Sequence, residues 1–429
     1  MGVRAMPQRL TITAALALTL CVLALSVAFG SKQANALVGD YEPDQVIVKL
    51  NPGVTIGQIE DDYGTTTLDD TLGGMGIYLL QTPNNKNPIT FAERLVGDPL
   101  STVDRVLLAE ANFVAETPED AEGDGRHRAY SISSTSESSD PYAAENLKLS
   151  CAAKISQGKG ITVAVLDTGA QLDHPALKAN FKNVKRYDFV DDDTDPSDRP
   201  VGLDEDGNGL KDEMVGHGTH VAGIVDLVAP AAKIMPLRVL DSEGYGDVFT
   251  ISKAISFAQR NGAHVINLSL GTSSRSEVLR EMVSEATHNG VVVAAAAGNS
   301  NTIVPHYPAA GDGTVASAEG LLAVTSVGKY QTKSSFANYG QWVDIAAPGD
   351  DIRSAFPISK YANWSGTSMS TPFVSGQAAL IRKVYGSITP ASIETKVRNS
   401  ARSLLLKDPV YGSMLGAGHA DFCASLRMK

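Results

Sequence analysis

Hydrophobic and polar residues are arranged differently in successive parts of the chain, and the changes of pattern divide it into four segments. An uncharged run extends from Leu10 to Ser31, and short alternating runs lie between Asp40 and Pro118. An acidic and serine-rich stretch follows, and from about residue 140 short apolar runs alternate with helical patterns. We therefore predict a leader (1–36), a small first domain (40–118), a linker (119–140) and a large second domain (141–429).

The first domain combines strand-like alternation with two helical patterns. The predicted strands are Gln45–Leu50, Gly76–Leu80, Val103–Leu108 and Asn112–Ala115, and the predicted helices are Thr55–Tyr63 and Ile89–Val96. A period of two indicates strands with one buried face. The pattern predicts a small α+β unit with a modest core of its own.

The large domain contains apolar runs without alternation, such as Ile161–Leu166, Val265–Ser269 and Val291–Ala296. Strands that are buried on both faces of a parallel sheet have this composition. Helical patterns separate the runs. The sequence therefore predicts an α/β fold with a mainly parallel central sheet.

The chain begins with the features of a secretory leader. Arg4 and Arg9 precede the apolar run, and Ala34-Asn35-Ala36 has the small-x-small pattern of a signal-peptidase site. We predict cleavage after Ala36 and secretion of the remaining chain. The run is also long enough to span a bilayer, so an uncleaved membrane anchor stays as the alternative.

Removal of the leader leaves Cys151 and Cys423. Export permits a disulfide between them. Two separate buried thiols are the alternative, because free cysteine packs as a small hydrophobic residue. Both arrangements stay open at this point.

The charge balance excludes one class of partner. The chain has 36 Lys and Arg against 48 Asp and Glu, a formal net charge of -12. Phosphate binding needs clustered basic side chains, and the sequence contains no basic stripe. We therefore expect no nucleic-acid partner.

Three segments place a reactive polar residue among small residues at the end of a strand or the start of a helix. Asp167 closes a predicted strand, and His217 lies in the glycine-bracketed segment 216–223. Ser368 precedes a helix predicted over Phe373–Val384. Sites in open α/β sheets form beyond the carboxyl ends of the strands, so these residues are expected to converge there.

The three residue types fit nucleophilic catalysis. A serine hydroxyl is a weak nucleophile until a base takes its proton, and a neutral imidazole can do so near neutral pH. We predict that Ser368 is the nucleophile, His217 the general base and then acid, and Asp167 the carboxylate that orients the imidazole. Asn299 offers a side-chain amide to an oxyanion, with the Ser368 N–H as second donor. No cofactor is required for this chemistry.

These segments resemble those of the subtilisin-like serine proteases (subtilases), from about residue 140 to the C-terminus. The chain order Asp, His, Ser is that of subtilisin. Further similar stretches are Asn267–Gly271, Tyr307–Ala309, Phe336–Gly340 and Val343–Gly349. The resemblance implies a subtilisin-like three-layer fold and peptide-bond hydrolysis through an acyl-enzyme, and the role of Asn299 rests mainly on it. Ser370 and Phe373 depart from the family, which more often has alanine and histidine there.

The resemblance also implies how partners bind. An extended substrate would pair with the backbone near Ser269, Leu270 and Gly271 and near Gly244. The first domain would be an inhibitory propeptide, and the linker would carry the processing point. The expected partners are protein or peptide substrates and the chain's own propeptide, and we expect a monomer.

An acidic insert separates Asp167 from His217. Part of it places oxygen-bearing side chains at alternate positions ahead of Gly209, as in the first half of an EF-hand loop. Val215 stands where that loop has its last glutamate. A structural calcium and a solvated acidic loop both stay open. The candidate metal ligands are Asp204, Asp206, Asn208 and Asp212.

Two other functions compete with an active protease. An α/β-hydrolase esterase needs Gly-x-Ser-x-Gly and the order Ser, acid, His, but here Ser370 stands in the second glycine's place and the order is reversed. The other alternative is an inactive protease-fold binding protein held with its propeptide.

His220 could suggest a metal pair with His217, but the His-Glu-x-x-His motif is absent, so we interpret His220 as a structural residue.

Overall fold

The computed structural model describes residues 41–97, 105–119, 128–135, 142–202, 204, 209–313 and 319–428. The predicted leader lies outside these residues. None of the helices in the described ranges is long and apolar enough to cross a membrane.

The described part of the chain contains strands and helices in the order β1 Tyr41–Leu50, α1 Ile56–Tyr63, β2 Thr66–Asp69, β3 Ile77–Gln81, α2 Pro88–Val96, β4 Val106–Glu116, β5 Tyr130–Ser133, α3 Tyr142–Asn146, α4 Leu149–Ala153, β6 Thr162–Asp167, β7 Tyr187–Asp188, α5 His217–Val228, β8 Lys233–Arg238, β9 Tyr245–Asp247, α6 Val248–Arg260, β10 Val265–Leu268, α7 Glu277–His288, β11 Val292–Ala296, β12 Leu321–Val327, β13 Ile345–Pro348, β14 Ile352–Phe356, β15 Lys360–Trp364, α8 Thr367–Tyr385, α9 Pro390–Asn399 and α10 Phe422–Ser425.

Seven of the described strands form a parallel sheet in the order β13-β12-β11-β10-β6-β8-β7. Its side chains alternate between two cores. Val163 and Val165 of β6 pack with helices α5, α8, α9 and α10, whereas Ala164 and Leu166 pack with α6 and α7. A strand buried on both faces needs apolar residues at every position, which explains the continuous apolar runs. The predicted three-layer α/β fold is confirmed.

Helix α8 begins earlier than predicted. The sequence predicts a start at Phe373, after Pro372, but the helix begins at Thr367 and holds Ser368 in its first turn. Pro372 has no N–H to donate to the Ser368 carbonyl four residues before it. The Ser269 hydroxyl donates to that carbonyl instead, at 2.8 Å. This contact from another segment lets the helix run through the proline.

The N-terminal unit is an antiparallel sheet in the order β2-β3-β1-β4, and strand β9 of the large domain extends it beyond β4. One face covers a local core that includes Val46, Val48 and Phe91. The other face directs Ile47 and Ile77 into the core around α6 and α7. The unit is therefore joined to the large domain by both strand pairing and apolar contact.

Strand β4 is continuous where the sequence predicts two strands, Val103–Leu108 and Asn112–Ala115; residues 103 and 104 lie outside the described part. The polar residue between the two runs is Glu110. Its carboxylate accepts hydrogen bonds from the N–H groups of Glu277 (2.9 Å) and Val278 (3.3 Å) at the start of α7. A carboxylate is stabilised at a helix N-terminus, so the break in the hydrophobic pattern marks a contact and not a turn.

Two further links tie distant parts of the chain together. The sulfur atoms of Cys151 in α4 and Cys423 in α10 are bonded, which decides between the two arrangements left open by the sequence. Strand β5, which lies inside the predicted linker, pairs antiparallel with β15. The described part of that linker is therefore partly an ordered strand.

Candidate active site

Strand β6 and helix α5 bring Asp167 and His217 together at the carboxyl edge of the sheet. Both side chains are fully buried. His217 Nδ1 donates to Asp167 Oδ1 at 2.7 Å, and the Thr168 N–H donates to the same oxygen at 2.8 Å. Gly216 permits this approach, because it adopts a φ of 98° at the N-cap and a side chain there would overlap Phe356.

The Ser368 hydroxyl faces a residue that no motif identified. Ser368 Oγ donates to Glu119 Oε2 at 2.6 Å, and the same oxygen lies 3.2 Å from His217 Nε2. The Glu119 carboxylate therefore occupies the space between the hydroxyl and the imidazole. The sequence predicts Glu119 only as the first residue of an acidic linker. Nothing in a run of acidic residues shows which one of their side chains is buried.

The Asn299 side chain is held in a single orientation. Its Oδ1 accepts hydrogen bonds from the N–H and the hydroxyl of Thr367, each at 2.9 Å. Its Nδ2 therefore points away and donates to Glu119 Oε1 at 3.0 Å. A side chain at Gly366 would overlap that oxygen. Asn299 Nδ2 and the first turn of α8 thus form a pocket whose donors suit a negatively charged oxygen.

Residues 114–119, here called the cleft segment, lead to this pocket as an added strand. Residues 114–116 pair antiparallel with residues 245–247 of β9. Glu116 exchanges backbone hydrogen bonds of 2.8 and 3.0 Å with Gly271, and the Thr117 N–H donates to the Gly244 carbonyl at 3.0 Å. Both predicted glycines therefore contact an extended chain through their backbones.

The segment beside the cleft segment also contacts Ser368. The Ser269 carbonyl lies 3.3 Å from Ser368 Oγ, and the Leu270 side chain is buried in the core. The structure therefore brings Asp167, His217, Ser368 and Asn299 together and aligns Gly244 and Ser269–Gly271 along one cleft, with Leu270 supporting that cleft from the core.

Buried charges compensate one another in this site. Burial raises the pKa of Glu119, but the contact with His217 and its charge, together with the hydrogen bonds from Ser368 and Asn299, outweigh burial, and the net pKa is lowered. Burial lowers the pKa of His217, whereas the charge of Asp167 and the contact with Glu119 raise it, to about 10. At neutral pH the imidazole is therefore a cation between two carboxylates. An imidazolium cannot accept the serine proton, so this state is a resting one.

Asp198, within the acidic insert, fixes the start of α5. One carboxylate oxygen accepts from the Gly216 N–H at 2.8 Å. The other accepts from the N–H and the hydroxyl of Thr219, at 3.2 and 2.7 Å. Burial raises the pKa of Asp198 to about 6. No motif distinguishes this aspartate from its acidic neighbours, so its role emerges only from the fold.

His220 is a structural histidine. Its Nε2 lies 3.0 Å from the Ile352 carbonyl and 3.1 Å from the Ala362 carbonyl. Burial, together with the nearby charge of His217, lowers the pKa of His220 to about 3. The ring is therefore neutral, and it is hydrogen-bonded to these backbone carbonyls.

The candidate calcium ligands are only partly described, because Asp206 and Asn208 lie outside the described residues. Asp212 Oδ1 accepts from the N–H groups of Val201 and Gly202, each at 2.8 Å. Asp204 Oδ1 accepts from the Gly209 N–H at 3.3 Å. Within the described ranges, no group of three or more His, Cys, Asp or Glu side chains is placed to hold a metal ion. Calcium binding here stays a prediction.

Known proteins are similar to this chain. A protein-family profile described as "Subtilase family" matches residues 158–418. Thermitase of Thermoactinomyces vulgaris is 38% identical over 274 residues, which are 62% of this chain and 89% of that protein. A thermophilic serine proteinase of Bacillus sp. (strain AK1) is 39% identical over 251 residues, which are 56% of this chain and 57% of that protein. A solved protease structure from Pseudoalteromonas arctica PAMC 21717 is 31% identical, with a TM-score of 0.58, and the match covers 65% of this chain and 93% of that one.

Replacing Asp198 by Asn should slow catalysis without weakening substrate binding. The donors from Gly216 and Thr219 use both carboxylate oxygens of Asp198, whereas an Asn side chain offers only one acceptor oxygen. Hydrogen bonds to a charged group contribute about 1.5–3 kcal/mol each. We expect a lower free energy of unfolding and a kcat reduced about tenfold by misplacement of His217, with KM nearly unchanged. Denaturant unfolding and steady-state kinetics measure both effects. Asp195→Asn, at a side chain 56% exposed, is the control. A raised KM with unchanged kcat would show that Asp198 acts on substrate instead.

The contact between Glu119 and His217 should depend on pH in a defined window. His217 stabilises the contact fully below its ordinary pKa of 6.5, and this contribution is lost as pH rises through about 10. Glu119 stabilises it fully above its ordinary pKa of 4.5, and this contribution is lost as pH falls below that value. The cleft segment should therefore be held most firmly between these two ordinary pKa values.

An NMR titration of the His217 imidazole in the unprocessed Ser368→Ala chain measures this coupling. We expect Glu119→Gln to lower the pKa of His217, because one of its two neighbouring carboxylates is removed. Glu145→Gln, at an exposed residue of α3, should leave it unchanged. An equal pKa of His217 in the Glu119→Gln variant and in its parent would show that Glu119 does not stabilise the charged imidazole.

Proposed function

This chain belongs to the subtilase family and is a serine endopeptidase, and from that premise we propose that it is secreted as a precursor that processes itself, with Asp167, His217 and Ser368 as its triad. The observation that carries the proposal is the buried series of contacts from Asp167 through His217 and Glu119 to Ser368. Protein or peptide chains are the substrates.

The proposed reaction begins when the cleft segment leaves and a substrate replaces it. With Glu119 gone, His217 loses one stabilising charge and can act as a neutral base toward Ser368. Ser368 Oγ attacks the substrate carbonyl carbon while its proton passes to His217 Nε2. His217 then gives this proton to the leaving amine, and an acyl-enzyme on Ser368 results. Water then attacks the acyl carbon while the same imidazole takes its proton. The bond from that carbon to Ser368 Oγ breaks, His217 returns the proton to Oγ, and the acid product leaves. Asp167 orients the ring and stabilises its charged form.

The pocket that holds Glu119 Oε1 is the proposed oxyanion site. Asn299 Nδ2 donates to that oxygen at 3.0 Å, as it would to the oxyanion of the tetrahedral intermediate. The Ser368 N–H, in the first turn of α8, is the proposed second donor, since the first N–H groups of a helix lack intrahelical partners. Loss of the side-chain donor costs about 3–4 kcal/mol of transition-state stabilisation, a value known for subtilisin itself.

The proposed inhibitory role of the N-terminal unit is supported by how it is bound. Its strand β4 pairs with β9, and Glu110 caps α7, so the cleft segment is anchored before it enters the site. Substrate would bind by the same strand addition. The alternative of an inactive binding protein finds no support, because the donor set for catalysis is complete.

The remaining proposals concern location and assembly. The leader over residues 1–36 supports secretion, with an uncleaved anchor as the minor alternative. We propose a monomer whose chemistry uses protein groups alone. A structural calcium in the acidic insert is a proposal that awaits direct measurement.

Mass spectrometry of the purified secreted protein and of its Ser368→Ala variant tests self-processing. We expect the wild type to lose the residues before the linker and to digest casein, and the variant to do neither, because the nucleophile is absent. Ser335→Ala, at an exposed serine, is the control and should behave as wild type. If wild type and variant are processed alike and neither digests casein, another enzyme cuts the chain and the proposal is wrong.

A further inference from the structure

Two glycines border His306 at opposite ends of its ring. Gly271 belongs to the segment that pairs with the cleft segment, and Gly298 immediately precedes Asn299. A side chain at Gly271 would overlap the Nε2–Cδ2 edge of the His306 ring, and a Cβ on Gly298 would lie 3.2 Å from its Cγ. The imidazole therefore fills space between the two backbones that line the approach to the nucleophile.

The backbone around His306 is held firmly. Tyr307 exchanges backbone hydrogen bonds of 2.8 and 2.9 Å with Thr272, and the Ala310 N–H donates to the His306 carbonyl at 2.9 Å. His306 is only 9% exposed. Because its neighbours fix the backbone, the ring cannot easily move aside for a bulky group.

His306 also has an unused hydrogen-bonding atom. Its buried Nε2 has no hydrogen-bond partner among the described residues. Burial lowers the pKa of His306 to about 4, against the opposing effect of the Glu119 charge, so the ring is neutral at neutral pH. Gly298, which borders the ring, directly precedes Asn299, so the ring lies near the proposed oxyanion pocket. A buried polar atom without a partner is destabilising, and a ligand with a suitable acceptor or donor removes that cost.

The cleft segment marks where a substrate side chain lies. Thr117 donates to Gly244, and Glu119 reaches Ser368. Pro118 lies between them. Because Glu119 Oε1 occupies the proposed oxyanion pocket, we infer that residue 118 marks the position immediately before the scissile bond. Glu116, two residues earlier, pairs with Gly271, and Asn299, which follows Gly298, donates to Glu119. Because His306 borders both glycines, we expect a side chain at position 118 to face the wall formed by Gly271 and His306.

We propose that His306 determines which side chain is accepted immediately before the scissile bond, and that it favours a short side chain ending in a hydrogen-bond acceptor. Such an acceptor is the carbonyl of Asn or Gln or the carboxylate of Asp or Glu, which Nε2–H can meet as donor. Large aromatic side chains are disfavoured, because the ring already occupies the space between the two backbones. The inference rests on the proposed function.

Peptide p-nitroanilides that differ only in the residue before the scissile bond separate the two effects. Asn and Leu have similar shapes and differ in hydrogen bonding, whereas Phe is larger than both. For the full chain after its own processing, we expect kcat/KM to be about tenfold higher with Asn than with Leu, and lowest with Phe.

Two variants assign these preferences to His306. His306→Leu keeps the volume and removes the nitrogen, so the Asn-to-Leu ratio should fall about tenfold while Phe remains a poor substrate. His306→Gly opens the space, so the Phe-to-Leu ratio should rise about tenfold or more. His288→Ala, at an exposed histidine at the end of α7, should keep the wild-type ratios.

The outcomes separate this inference from the proposed function. Unchanged ratios in active His306 variants would overturn the role of His306 and leave the protease standing. If the wild type cleaves no peptide in a way that the Ser368→Ala substitution abolishes, the proposed function itself fails. Should His306→Gly melt too early to assay, His306→Gln carries the test: it keeps a polar end and must retain the preference for Asn over Leu, and loss of that preference contradicts the proposal.

Discussion

The hydrogen bond between Asp167 and His217 joins the edge of the central sheet to the first residue of a helix, and the rest of the site is arranged around it. The approach is so close that a side chain at Gly218 would overlap the Gly169 carbonyl. Asp198 then fixes the helix start from the other side. The glycines that bracket the histidine in the sequence are therefore explained by space and backbone conformation, and the acidic insert contributes directly to the placement of the imidazole.

The same donors that suit a developing oxyanion also suit a resting carboxylate. Glu119 uses the amide of Asn299, the hydroxyl of Ser368 and the charge of His217, and each of these groups has a role in the proposed reaction. A site that stabilises negative oxygen in the transition state attracts any carboxylate that the chain can deliver to it. An inhibitory segment needs only one acidic side chain in the right place, provided that strand pairing holds it there.

Much of this architecture could be predicted from the sequence. The apolar runs indicated the parallel sheet, and the small residues around Asp167, His217 and Ser368 pointed to residues that the fold brings together. Glu119, Asp198 and His306 could not be found in the same way, because each acts through contacts with segments far away in the chain. Pro372 misled the prediction for a similar reason. The hydroxyl that satisfies the freed carbonyl comes from Ser269, on a different strand, and no local pattern contains that information.

The bond between Cys151 and Cys423 closes a covalent ring that spans 272 positions and contains Asp167, His217, Asn299 and Ser368. In the chain-entropy view, such a closure disfavours the unfolded state by roughly 5–6 kcal/mol. It also changes what a single cut can do. Under the proposed function, copies of the protein can cut one another, and exposed loops inside the ring are where they would cut. A chain that is cut once within the ring stays in one covalent piece, so the proposed catalytic residues remain on one molecule after the first cut.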